Sequence, residues 1–213
     1  MKQVSFWFDP VSPYAYLAFE RLPQVLEGLS YNVAYRPVLF AGLLQHWGQK
    51  GPAEIEPKRV WTYRDVAWRA HEQGTRLDLP ASHPFNPLAL LRLALACAPA
   101  GGQPNRYVVE KLFHHVWQGG ADANDAQRLA ALRAELQPQR DPDDSAVKAE
   151  LRENTEAAVE LGIFGVPTVV CDGLVAWGTD ALPLLSQQIR GDPWFDGPEW
   201  RAASEPRPGV SRR

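Results

Sequence analysis

The chain has 213 residues with 25 Asp and Glu against 22 Lys and Arg, a formal charge of −3 and a pI near 6.0, so no basic field exists to hold a nucleic acid backbone. Hydrophobic residues make up 45% and charged residues 22%, ordinary for a soluble globular protein. No run reaches the roughly 18 uninterrupted apolar residues of a membrane span, and the two cysteines, Cys97 and Cys171, form neither a CxxC nor a disulfide framework. Asp9 interrupts the first apolar stretch too early for a secretory signal, and a reduced, cytoplasmic protein is expected.

Residues 4–8 are apolar or aromatic around one serine and predict a buried strand. Ser12 is a preferred N-cap type and Pro13 suits the first helical position. Apolar positions at helical spacing then run from residue 14 to 29, with Pro23 predicting a kink or an early break. Residues 31–38 alternate as a second strand. Strand, helix and strand in so short a span predict a right-handed parallel βαβ unit.

The middle of the chain reads as helices over 59–73, 87–98, 106–118, 125–136 and 143–161, with a proline-punctuated loop between Leu79 and Pro87. The period then changes. Residues 168–171 and 174–177 flank Asp172-Gly173, a strong two-residue hairpin turn, and 180–190 reads as a helix with Asp180 as N-cap. From Asp192 onward no apolar period persists, which predicts a loosely packed or disordered tail. The order is βαβ, a long helical block and ββα. The expected segments are 1–40, a helical insertion over 41–155, a second part over 156–191 and a tail over 192–213.

Three segments at strand–helix junctions could carry chemistry: Phe8-Asp9-Pro10-Val11-Ser12-Pro13-Tyr14-Ala15-Tyr16-Leu17, Phe164-Gly165-Val166-Pro167-Thr168 and Trp177-Gly178-Thr179-Asp180. Ser12 either caps its helix or turns its hydroxyl to an anion such as a thiolate, which the partial positive charge of a helix N-terminus favours. Pro167 is either a strand-entry proline or follows a cis bond that turns the Val166 amide and carbonyl outward, to an extended peptide-like ligand. Asp180 is either a cap or an acceptor for a ligand ammonium. No histidine pair has metal-ligand spacing, and neither a Walker loop nor a GxGxxG is present.

These segments, with His83-Pro84-Phe85-Asn86-Pro87-Leu88, occur in family order over residues 3–190 and resemble the 2-hydroxychromene-2-carboxylate isomerases, relatives of kappa-class glutathione transferases. The resemblance implies an α/β thioredoxin-like fold, related to DsbA, with an inserted all-helical subdomain. It also implies bound glutathione, a cis peptide at Pro167 and a homodimer. Carried over, Ser12 holds the glutathione sulfur, Val166 and Pro167 meet the tripeptide backbone, and Trp177, Gly178, Thr179 and Asp180 grip its γ-glutamyl end. The implied substrate is a small aromatic carboxylate, isomerised by reversible thiolate addition, with Tyr14, Lys50, Glu54, His83 and Asn86 as candidate contacts and no metal. One departure stands out: the family's substrate-binding lysine aligns with Leu44, and its Asn-Arg pair with Glu54-Ile55, after Gly51-Pro52. A kappa-like transferase or peroxidase and a non-catalytic binding protein are the alternatives. The tetrapeptide Ser12-Pro13-Tyr14-Ala15 stands where a dithiol would, and it contains no sulfur.

Overall fold

A computed structural model describes residues 1–205 and 207–209. Strand β1 (Lys2–Phe8) is followed by helix α1 (Pro13–Val25) and strand β2 (Tyr31–Pro37). Helices α2 (Phe40–His46), α3 (Glu56–Gln73), α4 (Leu88–Ala96), α5 (Arg106–Trp117), α6 (Ala126–Leu136) and α7 (Ser145–Glu160) come next. The hairpin of β3 (Thr168–Cys171) and β4 (Leu174–Trp177) then leads to α8 (Leu182–Ile189) and α9 (Pro198–Ala203). The sheet order is β2-β1-β3-β4, with β1 and β2 parallel and the other pairs antiparallel. This is a thioredoxin-like α/β fold.

The alternation of β1 sorts its side chains to two faces. Val4, Phe6 and Phe8 enter the main core with Phe19, Leu22, Phe113 and Leu185, while Trp7 joins Val38, Leu43, Ala158, Ile163 and Val166 on the opposite face. Phe113 is the aromatic hinge of the first cluster, its ring centroid 5.4 Å from that of Phe8 and 5.2 Å from that of Phe19. The β3–β4 turn places Asp172 at φ 48° and Gly173 at φ 82°, the left-handed pair that a two-residue hairpin requires and that Asp-Gly supplies at small steric cost.

The structure corrects several expectations. Helix α1 ends at Val25, short of the apolar pattern's end at residue 29 and two residues after Pro23, which is the early break that this proline predicts. Helix α2 and a 3₁₀ turn at Pro52–Glu54 occupy a stretch without a predicted element. Helix α7 runs unbroken through residue 155, so the division expected between 155 and 156 falls inside it. Asn154 and Thr155 explain the continuity: the Asn154 amide donates to the Pro37 carbonyl at 3.1 Å, and Thr155 Oγ1 accepts the Leu39 N–H at 3.1 Å, tying this turn of α7 to the end of β2. Asp180 does not cap a helix. It lies within a 3₁₀ turn, Thr179–Ala181, that precedes α8. The tail is also more regular than expected: a 3₁₀ turn at Pro193–Asp196 and α9 bring Trp194 and Phe195 to 5.5 and 5.1 Å from the Trp200 ring. The tail expectation for residues 206 and 210–213 lies outside the described residues.

Phe113→Ala removes a fully buried ring from the centre of the main cluster. It is expected to lower the unfolding free energy by about 3–5 kcal/mol, measurable by chemical denaturation.

Candidate functional site

The site begins where β1 hands the chain to α1. Ser12 is buried and extended at the N-cap, its Oγ accepting the Ala15 N–H at 3.2 Å and donating to the Val166 carbonyl at 3.3 Å. Both bonds are long for a hydroxyl. The Val166–Pro167 peptide bond is cis, and the Pro167 carbonyl accepts the Gly178 N–H at 2.9 Å. Among the described residues no acceptor meets the Val166 N–H. The segments around Ser12, Val166 and Gly178 are thus joined by hydrogen bonds across the top of the sheet.

An aromatic wall flanks them. Trp177, 53% exposed, packs on Phe164 with ring centroids 4.8 Å apart. Gly165 lies under the indole so closely that a Cβ there would sit 2.7 Å from Trp177 Nε1; only glycine admits the ring.

The β1–α1 turn is held by groups from distant parts of the chain. Asp9, fully buried, accepts the Val11 N–H and, across the sheet, the Phe40 N–H, each at 3.0 Å. Burial pushes its carboxyl up to about 7, against the opposing pull of those two donors. Trp117 Nε1 donates to the Pro10 carbonyl at 2.9 Å. His83 Nε2 lies 2.7 Å from the Val11 carbonyl and Nδ1 lies 2.9 Å from the Tyr63 hydroxyl. A carbonyl only accepts, so Nε2 carries the proton and Nδ1 of the neutral ring receives the Tyr63 O–H. Burial holds the imidazole below its usual pKa, partly offset by the Val11 carbonyl.

A second network runs outward from α1. The Tyr14 hydroxyl donates to Asp65 Oδ2 at 2.8 Å, Arg69 Nε donates to the same oxygen at 2.7 Å, and Arg69 Nη1 reaches Asp180 Oδ1 at 2.5 Å. Burial and the Asp65 carboxylate push the Tyr14 phenol well above its usual pKa. Thr179 is buried, whereas the Asp180 side chain is 75% exposed.

The remaining sequence candidates fare differently. His83 does not face outward as a substrate contact; it holds the turn that carries Ser12. Glu54 turns back on its own loop to accept the Gly51 N–H at 2.6 Å. Asn86 accepts the Leu88 N–H at 3.1 Å at the start of α4. Lys50 is exposed and joined to none of these groups by a hydrogen bond. Asp65, Arg69 and Trp117 were invisible as site residues in the sequence, although Asp65 and Arg69 stand at the i,i+4 spacing of a helical ion pair. Among the described residues no group of three His, Cys, Asp or Glu could hold a metal ion, and no helix is long and apolar enough to cross a membrane.

The DSBA-like thioredoxin domain family matches residues 3–190. The chain belongs to this family. Within it, 2-hydroxychromene-2-carboxylate isomerase from Pseudomonas putida is 30% identical over 194 residues, covering 87% of this chain and 93% of that protein. Glutathione S-transferase kappa 1 from Homo sapiens is 27% identical over 215 residues, covering 91% and 93%. A solved structure of a 2-hydroxychromene-2-carboxylate isomerase superposes with a TM-score of 0.76 at 23% identity, covering 95% of this chain and all (100%) of the other. The chain is thus a DsbA-like protein of the branch that holds these isomerases and kappa-class transferases. In this DsbA-like chain, thiol chemistry at the first helix needs a sulfur from elsewhere, because residues 12–15 supply a hydroxyl in place of a dithiol.

Asp9 ties stability to pH. Its carboxyl is protonated more readily in the folded state than in the unfolded one, so the folded chain binds the extra proton between about 4 and about 7. Wild type should therefore lose stability relative to Asp9→Asn as pH rises through that window, with a constant difference above it. Denaturant unfolding of both proteins at acidic, intermediate and alkaline pH reads this directly. Titrations common to the two proteins cancel in the comparison.

Proposed function

We propose that the chain is a glutathione-dependent enzyme acting on a small electrophilic substrate. Four features fit the tripeptide: a hydroxyl with two long, exchangeable bonds, a backbone N–H without a protein acceptor among the described residues, an exposed carboxylate on the adjacent turn, and an aromatic wall beside them. The observation that carries the proposal is Ser12 at the N-terminus of α1, facing the Val166 carbonyl ahead of Pro167. Support also comes from relatives named as glutathione transferases.

Bound glutathione supplies a sulfur nucleophile that adds reversibly to an electrophilic carbon, which converts a double bond to one that rotates. Ser12 keeps the Ala15 N–H on one lone pair and turns its proton from Val166 to the sulfur, lowering the thiol pKa. The positive end of α1 adds to this stabilisation. The Val166 N–H and C=O pair with the tripeptide backbone as a strand edge would, which the Ser12 proton makes possible by releasing the carbonyl. Asp180 accepts the γ-glutamyl ammonium, and Trp177 with Phe164 screens the reacting atoms from water.

The favoured reaction is isomerisation of a ring-closed aromatic-degradation intermediate to a trans-benzylidenepyruvate, with glutathione returned unchanged. A specific observation supports a second reading, a kappa-like transferase: Leu44 and Glu54-Ile55 replace the cationic and amide groups expected for a substrate carboxylate, and Glu54 is committed to Gly51. Product mass separates the two. An isomerase leaves the masses of substrate and glutathione unaltered, and a transferase releases a glutathione conjugate, at the summed mass for addition or less the expelled group for substitution, or oxidised glutathione where the substrate is a peroxide that it reduces.

Ser12→Ala should fold normally and raise the pKa of the bound thiol by about one unit or more, as loss of a charge-assisted hydrogen bond requires. Thiolate absorbance titrated in both proteins with reduced glutathione is the measurement. Identical curves would remove Ser12 from the mechanism.

A further inference from the structure

An ion pair between Arg69 and Asp180 joins the third helix to the turn after β4; Asp180 has the role given above, and Arg69 has none there. Arg69 is anchored on one side only. Its Nε is spent on Asp65, whose side chain is 14% exposed and which also receives the Tyr14 hydroxyl. The guanidinium also lies over the Tyr14 ring, 6.0 Å from its centroid. Its terminal edge reaches outward, Nη1 to Asp180 Oδ1 and Nη2 to no partner among the described residues. The two sides of the pair differ sharply in exposure, 25% for Arg69 and 75% for Asp180.

Resting on the glutathione reading, we propose that Arg69 recognises the α-carboxylate of the γ-glutamyl head, and that its pair with Asp180 is a latch which that zwitterion opens. An amino-acid head brings one ammonium and one carboxylate. Inserted between Arg69 and Asp180, it converts one ion pair into two and leaves the net charge of the site unaltered. Giving up the existing contact is cheap, because one partner is largely in water. The gain is larger. A guanidinium held at Nε by a partly buried carboxylate keeps its terminal edge fixed, and two parallel N–H donors match the two oxygens of a carboxylate.

Asp65 does not compete for the head, since it remains bound to Arg69 Nε and to Tyr14 throughout. Its position relates the head-group site to α1, because Tyr14 stands two residues after Ser12. The ligand class follows: tripeptide thiols with a free α-amino-acid terminus. A head lacking its carboxylate leaves the terminal edge of Arg69 without an anion. A head lacking its ammonium competes with Asp180 for Arg69 and returns nothing to Asp180.

The test is binding of reduced glutathione, 4-aminobutyryl-Cys-Gly, which lacks the α-carboxylate, and glutaryl-Cys-Gly, which lacks the ammonium, to wild type, Arg69→Gln and Arg69→Lys by calorimetry. Wild type should bind the aminobutyryl peptide about tenfold or more weakly than glutathione, the loss of one charge-assisted pair. Arg69→Gln should weaken glutathione by a similar factor. It should leave the aminobutyryl peptide unchanged or bound more tightly, because Asp180 loses its competitor. Arg69→Lys should recover only part of the glutathione affinity. Equal affinity of wild type for glutathione and the aminobutyryl peptide overturns the proposal however the variants fold, and so does discrimination that survives in Arg69→Gln. In both cases glutathione still binds and the functional reading stands. Failure of wild type to bind any of the three peptides removes that reading and this proposal together.

Discussion

The turn between β1 and α1 sets the Ser12 hydroxyl at the start of α1, and Asp9, Pro10 and Ser12 within it are buried. A buried turn leaves carbonyls and amides that need partners. The carbonyls find theirs far along the chain, Trp117 for Pro10 and His83 for Val11, while Asp9 within the turn accepts the Val11 amide and reaches out to the Phe40 amide after β2. The helical block between β2 and β3 therefore does more than cover the sheet. Trp117 ends α5 and His83 lies in the loop before α4, so two separate parts of that block grip a single turn. The geometry of the helix N-terminus is set before any ligand arrives, and a preorganised dipole needs no reorganisation when charge develops on it.

Apart from the Asp9 carboxyl, the electrostatics of this turn rest on neutral groups and backbone dipoles. The Val11 carbonyl dictates the His83 tautomer, and the Tyr63 hydroxyl completes it, so the imidazole donates and accepts without a charge. Asp9 is the buried carboxyl of the turn, and its burial outweighs the two amides that bond it. Formal charge gathers instead at the rim, on Asp65, Arg69 and Asp180. An interior of dipoles with a charged rim suits a ligand whose reactive sulfur lies deep and whose zwitterionic terminus stays near water.

Much of this was legible in the sequence because local chemistry and tertiary role coincide. Ser12-Pro13 opens α1 and also faces the site; Asp172-Gly173 makes the hairpin by backbone preference alone. Helix α2 was not legible. Its N-cap, Leu39, offers no side-chain acceptor, and the amides of Leu39 and Phe40 are satisfied by Thr155 and Asp9, more than 30 residues away at the nearest. Asp180 misled for the opposite reason: its residue type suits a cap, yet the chain makes a 3₁₀ turn there and the carboxylate goes to Arg69. Asp65 and Arg69 read as an ordinary surface pair on one helix; only the topology brings Asp180 to them. The sequence thus marks groups that act on their own backbone and hides those that act across the fold.

The same distinction separates the two parts of the candidate site. The part around Ser12 is built from a helix terminus, a cap and backbone groups around Pro167, which many sequences can supply once the fold forms. The other part depends on side chains of residues 44–54, from the end of α2 to the 3₁₀ turn at Pro52–Glu54. There Gly51 closes the loop so tightly that a Cβ would stand 3.1 Å from Glu54 Oε1 and 3.2 Å from Leu44 Cδ1. Leu44 and Glu54 therefore pack against the same glycine, and the Glu54 carboxylate is drawn onto the Gly51 amide. A carboxylate fixed there repels an anionic substrate group that a lysine would attract, and Leu44 offers it no hydrogen bond. This segment can change without disturbing the turn that carries Ser12, which is clamped from α5 and the loop before α4.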